Sequence, residues 1–552
     1  MDQEYDYVVI GGGSAGCVMA GRLSEDPQAS VCLLEAGGGG DNALVNVPIG
    51  ALAMMRTAIG NWAFLTEPQA GLNGRRGYQP RGKNLGGSSA MNAMVYIRGH
   101  QSDYDHWSAL GNAGWSYREV LPYFIRNEGN ARIRDAWHGN DGPLSVTDLQ
   151  TDNPVHAHYL EAARQAGFRV TDDFNGAEQE GIGLYQVTQK DGHRCSAAHA
   201  YLLPHIGQRR NLSVFTGAHT QRIVFEGRRA VGVAVRIEGV EHIVRARREV
   251  ILAAGAFQSP QLLMLSGVGD ADELKRHGIP LVQHLPGVGQ NLQDHPDFVF
   301  GYRSTRRYAI GFTLPGLWQM IREFFRYRRS GRGTFASNFA EGGGFLKTKP
   351  ELPAPNVQLH FVVALVDDHG RKLHPGHGVS CHVCLLRPRS IGSVRLRSAK
   401  AEDAPLIDPA FFKDPRDLAD LVEGFKLTRR LMEAPALSPV VGEDLFTAGV
   451  KTDAQIADAI RARADTVYHP VGTCKMGSDA MAVVDAQLRV HGCEALRVVD
   501  ASIMPTLIGG NTNAPVMMIA EKAVDMILGR VPKASADAGA DAVARERVAV
   551  PA

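Results

Sequence analysis

The chain has 552 residues, of which 44% are hydrophobic and 21% charged, and its 59 basic and 58 acidic residues give a net charge of +1. This composition excludes a chain that is disordered as a whole, because it can bury a large core. The balanced charge argues against a nucleic-acid-binding protein, which normally carries a basic excess or patch.

The cysteine content favours a reducing compartment. Seven cysteines in a chain of this length do not form a disulfide framework, and an odd number cannot pair completely. Cys381 and Cys384 form a CxxC pair, but no second pair follows at zinc spacing, so we expect a buried strand there and no metal site. The sequence shows no secretory signal and no run of 18 apolar residues, which predicts a cytoplasmic protein without a transmembrane segment.

The hydrophobic pattern predicts a chain of mixed helices and strands that opens with a βαβ unit. Residues 5–10 and 31–34 are apolar runs typical of buried strands, and a helical stretch lies between them, up to about residue 23. Residues 62–92 have the composition of an extended loop, and the Ala-rich end, 531–552, predicts a mobile tail. Further strands are expected within 212–250 and at 249–254, 356–363, 379–386 and 393–396, and further helices at 103–110, 117–126, 155–166, 417–432, 453–464 and 514–528, with one more ending at 265.

The first motif with a chemical meaning is a GxGxxG loop, Gly11, Gly13 and Gly16, between the first strand and the first helix. In such a loop Gly11 permits the tight turn, Gly13 lets the backbone approach a pyrophosphate, and Gly16 allows close packing of the helix. Glu35 follows 19 residues later, at the end of the second strand, where a carboxylate can accept both ribose hydroxyls. The set predicts a dinucleotide site at the helix N-terminus.

The second motif, residues 81–92, contains Gly86 and Gly87 followed by two serines. Such a backbone can pass close to a planar ligand, and its N–H groups can form a concavity that binds anions. The apolar segment 93–97 beside it predicts burial. A third motif, residues 255–269, begins at a strand-to-glycine turn and ends at a glycine helix stop.

The last two motifs, residues 468–477 and 500–515, carry His469 and Asn513. Pro470 restrains the backbone of His469, which lies among small residues in a loop. A single histidine in a chain with 20 of them is usually structural, and an asparagine in an Asn-Thr-Asn stretch is usually a turn residue. The residues alone therefore leave the roles of His469 and Asn513 open.

Together these motifs resemble the glucose–methanol–choline (GMC) oxidoreductase family, and the resemblance extends from residue 5 to about residue 529. The second and third motifs match the two signature segments of the family without a gap. Within the family the chain is most similar to bacterial FAD-dependent alkanol dehydrogenases and choline dehydrogenases. The segments that carry this closer similarity are 61–64, 92–100, 291–295 and 498–505, and segment 367–372 favours the alkanol branch.

The resemblance implies an α/β fold in which a Rossmann-like FAD-binding domain is interleaved with a substrate-binding domain built on an antiparallel sheet with helices. It places the FAD-binding domain at 1–60, 78–110, 195–300 and 465–530, and the substrate-binding domain at 61–77, 111–194 and 301–464.

The resemblance also implies FAD as the cofactor and His469 and Asn513 as the catalytic pair. Some members attach FAD covalently through a histidine in the 81–92 loop; the matching position here is Met91, which predicts non-covalent FAD. The residues expected to bind FAD are Gly11, Gly13, Ser14, Ala15, Gly16, Glu35, Ala36, Trp62, Arg81, Gly86, Gly87, Ser88, Asn92, Ala93, Met94, Val95, Ala254, Asp500, Ala501, Asn511, Asn513 and Pro515.

The implied reaction oxidises a primary aliphatic alcohol to the aldehyde, with hydride transfer to flavin N5 and electrons passed on to a quinone-type or artificial acceptor. The hydroxyl proton must leave as well, and neutral imidazole makes His469 a suitable base. Asn513 would donate a hydrogen bond to the developing alkoxide.

Three alternatives remain open. Choline dehydrogenase would need an aromatic cage or a carboxylate for the quaternary ammonium group, and Trp62, Tyr468 and Glu341 could supply one. An oxidase that uses O₂ and a non-catalytic flavin-binding protein are the others.

Residues 307–332 predict an amphipathic helix. Its apolar residues are Leu317, Trp318, Met320, Ile321, Phe324, Phe325 and Tyr327, and Arg322, Arg326 and Arg329 occupy the other side. The helix either covers the substrate-binding lobe as part of the core, which we favour, or lies on the inner face of the cell membrane, where a membrane quinone would accept the electrons.

Overall fold

The structure is a computed structural model that describes residues 3–304, 306, 309, 311–312, 314–372 and 374–530, and for residues 312 and 314–317 the backbone alone. The expected tail, 531–552, and Arg307 in the expected amphipathic helix lie outside the described residues. The helices are α1 Ser14–Leu23, α2 Ala43–Asn46, α3 Ala51–Arg56, α4 Gln101–Ala109, α5 Tyr117–Asn127, α6 Val155–Gln165, α7 Ala197–Tyr201, α8 Gly255–Leu265, α9 Ala271–Arg276, α10 Leu314–Ser330, α11 Pro415–Met432, α12 Asp453–Arg463 and α13 Asn513–Leu528.

Two seven-stranded sheets account for most of the strands, and short two- and three-stranded pairings account for the rest. The strands are β1 Gln3–Ile10, β2 Val31–Leu34, β3 Phe64–Leu65, β4 Tyr78–Gln79, β5 Glu128–Asn130, β6 Leu144–Val146, β7 Gly181–Leu184, β8 Gln189–Lys190, β9 His193–Arg194, β10 Leu212–Phe215, β11 His219–Glu226, β12 Arg229–Ile237, β13 Val240–Leu252, β14 Val268–Gly269, β15 Gln283–His284, β16 Gln290–Leu292, β17 Pro296–Ser304, β18 Gly311–Phe312, β19 Ala340–Leu346, β20 Val357–Val362, β21 Gly376–Leu385, β22 Gly392–Arg395, β23 Leu406–Asp408, β24 Asp465–Thr466 and β25 Leu496–Val498.

The first sheet has a parallel core in the order β10, β2, β1, β13, and β25 pairs in parallel with the end of β13. Strands β12 and β11 extend it as an antiparallel hairpin. The parallel strands end together, so the residues that follow them, Gly11, Glu35, Ala253 and Asp500, meet at one edge of the sheet. This edge is where α/β sheets bind their ligands.

The second sheet runs β24, β17, β21, β20, β19, β7, with β18 also paired to β21, and every pairing in it is antiparallel. The α/β fold class with a second, antiparallel sheet is therefore confirmed. His360 on β20 lies opposite His382 on β21, and His295 immediately precedes β17. The division of the chain into two domains with the predicted boundaries stays a prediction.

Most predicted elements appear within a few residues of their expected bounds, but helices α2, α3, α7 and α9 and strands such as β7, β17, β19 and β25 were not predicted. Cys381 and Cys384 lie buried on β21, as expected for a strand, and all seven cysteines are free thiols. None of the described helices is long and apolar enough to cross a bilayer.

The amphipathic helix forms as α10, but the expectation that its apolar side faces the core is wrong. Tyr327 is buried, whereas Trp318, Ile321, Phe324 and Phe325 are exposed. The predicted apolar face spans about half the helix circumference, because successive residues are 100° apart, and only one edge of it can contact the body of the protein. The other edge faces outward.

Candidate active site

The loop between β1 and α1 lines part of a large cavity. Gly11 has φ of +96°, and a Cβ there would lie 2.6 Å from the carbonyl oxygen of Ala253, so only glycine fits this turn. Helix α1 begins after Gly13 with no side-chain cap, and Gly13, Ser14 and Ala15 line the cavity. Uncapped N–H groups at a helix N-terminus bind phosphate.

Glu35 lies on the same wall, directly after β2. Its Oε2 accepts a hydrogen bond of 2.8 Å from the N–H of Gly12, and its Oε1 accepts one of 2.7 Å from the N–H of Gly37. Burial raises the pKa of this carboxyl group to about 7. Each carboxylate oxygen has a second lone pair, so Glu35 can still accept hydrogen bonds from a bound ribose.

The glycine–serine loop packs directly on the first loop. The N–H of Gly86 donates to the carbonyl oxygen of Gly12 at 2.7 Å. Gly87 begins the 3₁₀ turn Gly87–Ala90, and a Cβ on it would lie 2.7 Å from the Cα of Gly13. The two loops therefore touch backbone to backbone beside the cavity.

Arg194 holds this loop through hydrogen bonds to its backbone, and sequence reasoning did not identify this residue. Its guanidinium is buried and donates to the carbonyl oxygens of Ser89, Asn92 and Val45 at 3.1, 2.7 and 3.1 Å. Burial lowers the pKa of Arg194 to about 9. No sequence signal marks it, because Arg194 lies about a hundred residues from the loop that it holds.

The cavity fits the cofactor that the motifs imply. Glu35, Gly13, Ser88 and His469 all line this one cavity. Arg81 also lines the cavity, and its Nη2 donates a hydrogen bond to the carbonyl oxygen of Tyr468 at 2.8 Å. Its buried Nε has no hydrogen-bond partner, and no described carboxylate lies within 4 Å of the guanidinium group. A half-buried cation and a helix N-terminus on the wall of one cavity suit an anionic dinucleotide such as FAD.

His469 is fixed through Asp294. The N–H of His469 donates to Asp294 Oδ1 at 2.9 Å, and Oδ2 accepts from Thr466 Oγ1 at 2.6 Å and from Gln79 Nε2 at 3.2 Å. Burial raises the pKa of Asp294 to about 6. The backbone of the His469 loop is thus anchored to the start of the second sheet.

Hydrogen bonds also determine the tautomer of His469. His295 Nε2 lies 3.1 Å from the carbonyl oxygen of Leu386, which can only accept, so this nitrogen carries the proton of the neutral ring. His295 Nδ1 is then an acceptor, and it lies 3.0 Å from His469 Nδ1, which must donate. The lone pair of His469 is therefore on Nε2, 3.2 Å from the amide nitrogen of Asn511.

Burial keeps these histidines neutral. The pKa of His469 lies well below its usual value, mainly because the ring is desolvated and further because His295, His360 and Arg81 are near. Desolvation lowers the pKa of His295 to about 3 and has the same effect on His360. The Nε2 lone pair of this neutral imidazole accepts a hydrogen bond from the Asn511 amide at the cavity wall, and it can accept a proton once that hydrogen bond opens.

His360 is a second residue that sequence reasoning missed. It lines the cavity, it is 5% exposed, and neither ring nitrogen has a hydrogen-bond partner among the described residues. Unpaired buried polar atoms are uncommon and suit a polar ligand group. The pairing of β20 with β21 places His360 here, and the local sequence gives no sign of it.

The predicted site residues come together with few exceptions. Asn513 lines the cavity, but its Oδ1 accepts from Ser14 Oγ at 2.7 Å, and Asn511 is the asparagine next to His469. Gly16, Gly86 and Pro515 lie outside the cavity wall. The predicted residues on the wall are Gly11, Gly13, Ser14, Ala15, Glu35, Ala36, Trp62, Arg81, Gly87, Ser88, Asn92, Ala93, Met94, Val95, Ala254, His469, Asp500, Ala501, Asn511 and Asn513.

Comparison with known proteins gives consistent similarities. The N-terminal and C-terminal parts of the GMC oxidoreductase profile match residues 5–297 and 388–520. An alcohol dehydrogenase [acceptor] of Pseudomonas putida is 46% identical, with 97% of each chain covered. The mitochondrial choline dehydrogenase of Homo sapiens is also 46% identical, and the alignment covers 96% of this chain and 90% of that enzyme. A solved structure of Aspergillus oryzae formate oxidase, studied for FAD modification, superposes with a TM-score of 0.89 at 27% identity, with coverage of 96% of this chain and 99% of that one.

Proposed function

Because the chain belongs to the GMC oxidoreductase family, whose members are FAD-binding flavoproteins, we propose that it oxidises a primary aliphatic alcohol to the aldehyde with His469 as the base. The observation that carries this proposal is the His469 tautomer, which leaves the Nε2 lone pair at the end of the cavity. Bound FAD would supply the hydride acceptor, which no side chain can replace.

The chain's own task is to move the hydroxyl proton and to hold the alcohol. His469 Nε2 accepts that proton, and the resulting positive charge is shared through Nδ1–H with His295. A base placed in this way accelerates such a reaction by about 10²–10⁴-fold. Asn511 lies beside Nε2, and the free ring nitrogens of His360 offer a second polar contact for the substrate oxygen. Asn513 stays our proposed donor to the developing alkoxide.

The cofactor is proposed to be held without a covalent bond. The helix N-terminus at Gly13 would hold the pyrophosphate and Glu35 the ribose, and the cation of Arg81 would face the part of the cofactor nearest His469. Met91 occupies the position from which some family members attach FAD through histidine, and a thioether does not form that bond.

The lining near His469 favours an uncharged, apolar alcohol over choline. Leu52, Phe339, Val362, Val366 and Val467 pack together there. The carboxylates on the described wall are Glu35, at the nucleotide end, and Asp500, which is bonded to Ser259 and the N–H of Gly255. A quaternary ammonium group would therefore find no carboxylate on the described cavity wall beside His469, where the nearby Asp294 lies behind the wall and binds the N–H of His469.

The contacts of the three residues considered for a choline cage also support an uncharged substrate. Glu341 is bonded to His156 at 2.6 Å and to Ser337 at 2.7 Å, away from the wall. The Nζ of Lys83 lies over the ring of Trp62 at 4.3 Å, where it would repel a second cation. The hydroxyl of Tyr468 is bonded to His369.

Steady-state kinetics of the purified holoenzyme test this substrate class. With an artificial quinone acceptor, kcat/KM for 1-octanol should exceed that for choline by at least about 100-fold, because a desolvated cation without a partner is strongly disfavoured. A preference for choline would instead support the choline dehydrogenase alternative. Oxygen consumption measured with the same substrate gives the rate of electron transfer to O₂, which can be compared with the rate of transfer to the quinone. A faster rate with O₂ than with the quinone would overturn the proposed acceptor.

A further inference from the structure

Helix α10 is attached to the protein along one edge. Glu323 and Tyr327, one turn apart, are 7% and 5% exposed. The hydroxyl of Tyr327 lies 3.2 Å from the carbonyl oxygen of Gly192, and Glu323 Oε2 accepts from the N–H of Thr334 at 3.1 Å. These contacts define the inner side of the helix.

The opposite side carries an exposed apolar stripe. Trp318, Ile321 and Phe325 are 75%, 41% and 61% exposed, and their spacing places them on one face, directly opposite Glu323 and Tyr327. We call these three residues the outer stripe. Phe324, 43% exposed, lies between the two sides. A contiguous apolar surface of this kind marks an interaction site, unlike single exposed apolar residues.

Arginines border the outer stripe on both sides. Arg328 lies along one side, and Arg322 and Arg329 along the other. All three are exposed, and within the described chain none of them has a carboxylate within 4 Å, whereas Arg326 is paired with Asp152. Over residues 314–332 the sequence has five arginines and a single acidic residue, the inward Glu323.

We infer that the outer stripe and its flanking arginines dock on an anionic lipid bilayer. A helix with aromatic residues outward between unpaired arginines has the composition of an interfacial helix, in which the apolar side chains enter the headgroup region and the cations contact acidic lipids. A second copy of the chain is a poorer occupant, because a two-fold interface would bring the same arginines against each other.

The location of α10 gives this surface a functional setting. The helix contacts the turn Thr334–Ala336, which contacts the turn Pro48–Gly50. Helix α3 follows at once and supplies Ala51, Leu52 and Met55 to the cavity wall. Under the proposed function, the apolar end of the cavity thus lies near the phase in which long-chain alcohols and quinones dissolve. Vesicle binding itself does not depend on that function.

Vesicle co-sedimentation of the holoenzyme tests the inference. Wild type should bind phosphatidylcholine vesicles containing 30% phosphatidylglycerol (about one lipid in three) and bind pure phosphatidylcholine vesicles far more weakly. Arg328→Glu/Arg329→Glu should weaken binding at least about tenfold, while the matched control Arg228→Glu/Arg229→Glu, at the exposed end of the β11–β12 hairpin, should not. Equal effects of both pairs would overturn a specific role for α10.

A second pair of variants tests the apolar contribution. Trp318→Ser/Phe325→Ser should reduce binding at least about tenfold, and Leu281→Ser/Ile391→Ser, at positions 52% and 51% exposed, should leave it unchanged. Both proteins should keep their flavin spectrum and wild-type turnover with a soluble acceptor. Loss of turnover together with binding would mean that α10 supports the fold, and would overturn the inference.

Trp318 also reports directly on its surroundings. Its emission should shift to shorter wavelength on addition of the anionic vesicles, and Trp318→Phe should abolish the shift while it preserves co-sedimentation. No shift in wild type would contradict insertion of the outer stripe. Concentration-dependent dimerisation without vesicle binding would show that a second copy covers the stripe, and would also overturn the inference.

Discussion

His295 and His469 share a hydrogen bond between their Nδ1 atoms, and only one of the two can carry the proton. The carbonyl oxygen of Leu386 determines which Nδ1 atom carries the proton, because it holds the proton of His295 on Nε2. His295 is thus a positioning residue that acts through His469. The consequence is a neutral base whose reactive nitrogen faces the cavity.

Removal of His295 should change the pH profile as well as the rate. In His295→Leu the acceptor for His469 Nδ1 is lost, so we expect kcat/KM for 1-octanol to fall about 10–100-fold. The acid limb should move to higher pH, because His295 is one cause of the low His469 pKa.

His295→Gln keeps an amide oxygen as acceptor and should recover part of the rate, and both variants should retain FAD. An unchanged pH profile in His295→Leu, with a lower rate, would indicate a packing role alone.

His360 should make the protein sensitive to acid. Burial lowers the pKa of His360 from its ordinary value of 6.5 to about 3, so below pH 6.5 the unfolded chain binds a proton that the native chain does not bind. Stability is therefore lost as the pH falls. Urea unfolding at pH 7.5 and 5.5 should show that wild type loses about 1 kcal/mol more than His360→Phe. Equal losses in the two proteins would contradict a neutral, unpaired His360.

At the scale of elements, the contact between the β1–α1 loop and the turn Gly87–Ala90 shapes the cofactor cavity. Gly87 has φ of +50° and faces Gly13 at a distance that no side chain allows. Both loops depend on glycine for the same two reasons: Gly11 and Gly87 each have a positive φ, and each lies too close to a neighbouring backbone for a Cβ.

Substitution of Gly87 should release the cofactor. Gly87→Ala forces the two loops apart, and we expect FAD affinity to fall at least about tenfold, consistent with strain of about 1–3 kcal/mol. The flavin absorbance per chain after gel filtration, followed by FAD titration, measures this effect. Gly38→Ala is the matched control, because a Cβ there meets nothing within 4 Å. Equal FAD content in both variants would contradict the close-contact account.

The sequence predicts an element where periodicity and composition agree. The prediction fails where a glycine is needed for packing. The βαβ opening and helices such as α11 follow from their apolar patterns. Strand β19 does not, because glycines 342–344 are poor strand formers. The structure needs them: a Cβ on Gly342 would lie 2.9 Å from the ring of Tyr159, and one on Gly343 would lie 2.3 Å from Tyr185 Oη.

At the scale of the whole molecule, the cavity is built between the two sheets. Gly11, Glu35 and Ala254 come from the parallel sheet edge, and His360 and His382 come from the antiparallel sheet. Sequence motifs predicted the first set because each of its residues follows a buried strand that a local pattern indicates. The second set depends on the pairing of β20 with β21, and the supporting Arg194 and His295 depend on contacts across about 90–170 residues; no local pattern encodes either.

Removal of FAD should therefore destabilise the parallel and the antiparallel sheet together. Free FAD at 100 times its Kd should add about 2.7 kcal/mol to the free energy of unfolding, and the holoenzyme should unfold in one transition at a higher Tm than the apoprotein. Acid precipitation should leave all flavin in the supernatant. Flavin that stays on the denatured chain would contradict non-covalent binding, and a Tm that is independent of FAD would contradict the shared cavity.

The most direct test of the whole account is the anaerobic visible spectrum of the purified protein during mixing with 1-octanol. We predict that the flavin band bleaches in wild type and that bleaching is slowed about 10²–10⁴-fold in His469→Ala with the same FAD content. Choline should leave the band unchanged. Bleaching at the wild-type rate in His469→Ala would remove His469 from the role of base, and bleaching by choline but not by 1-octanol would contradict the proposed substrate class.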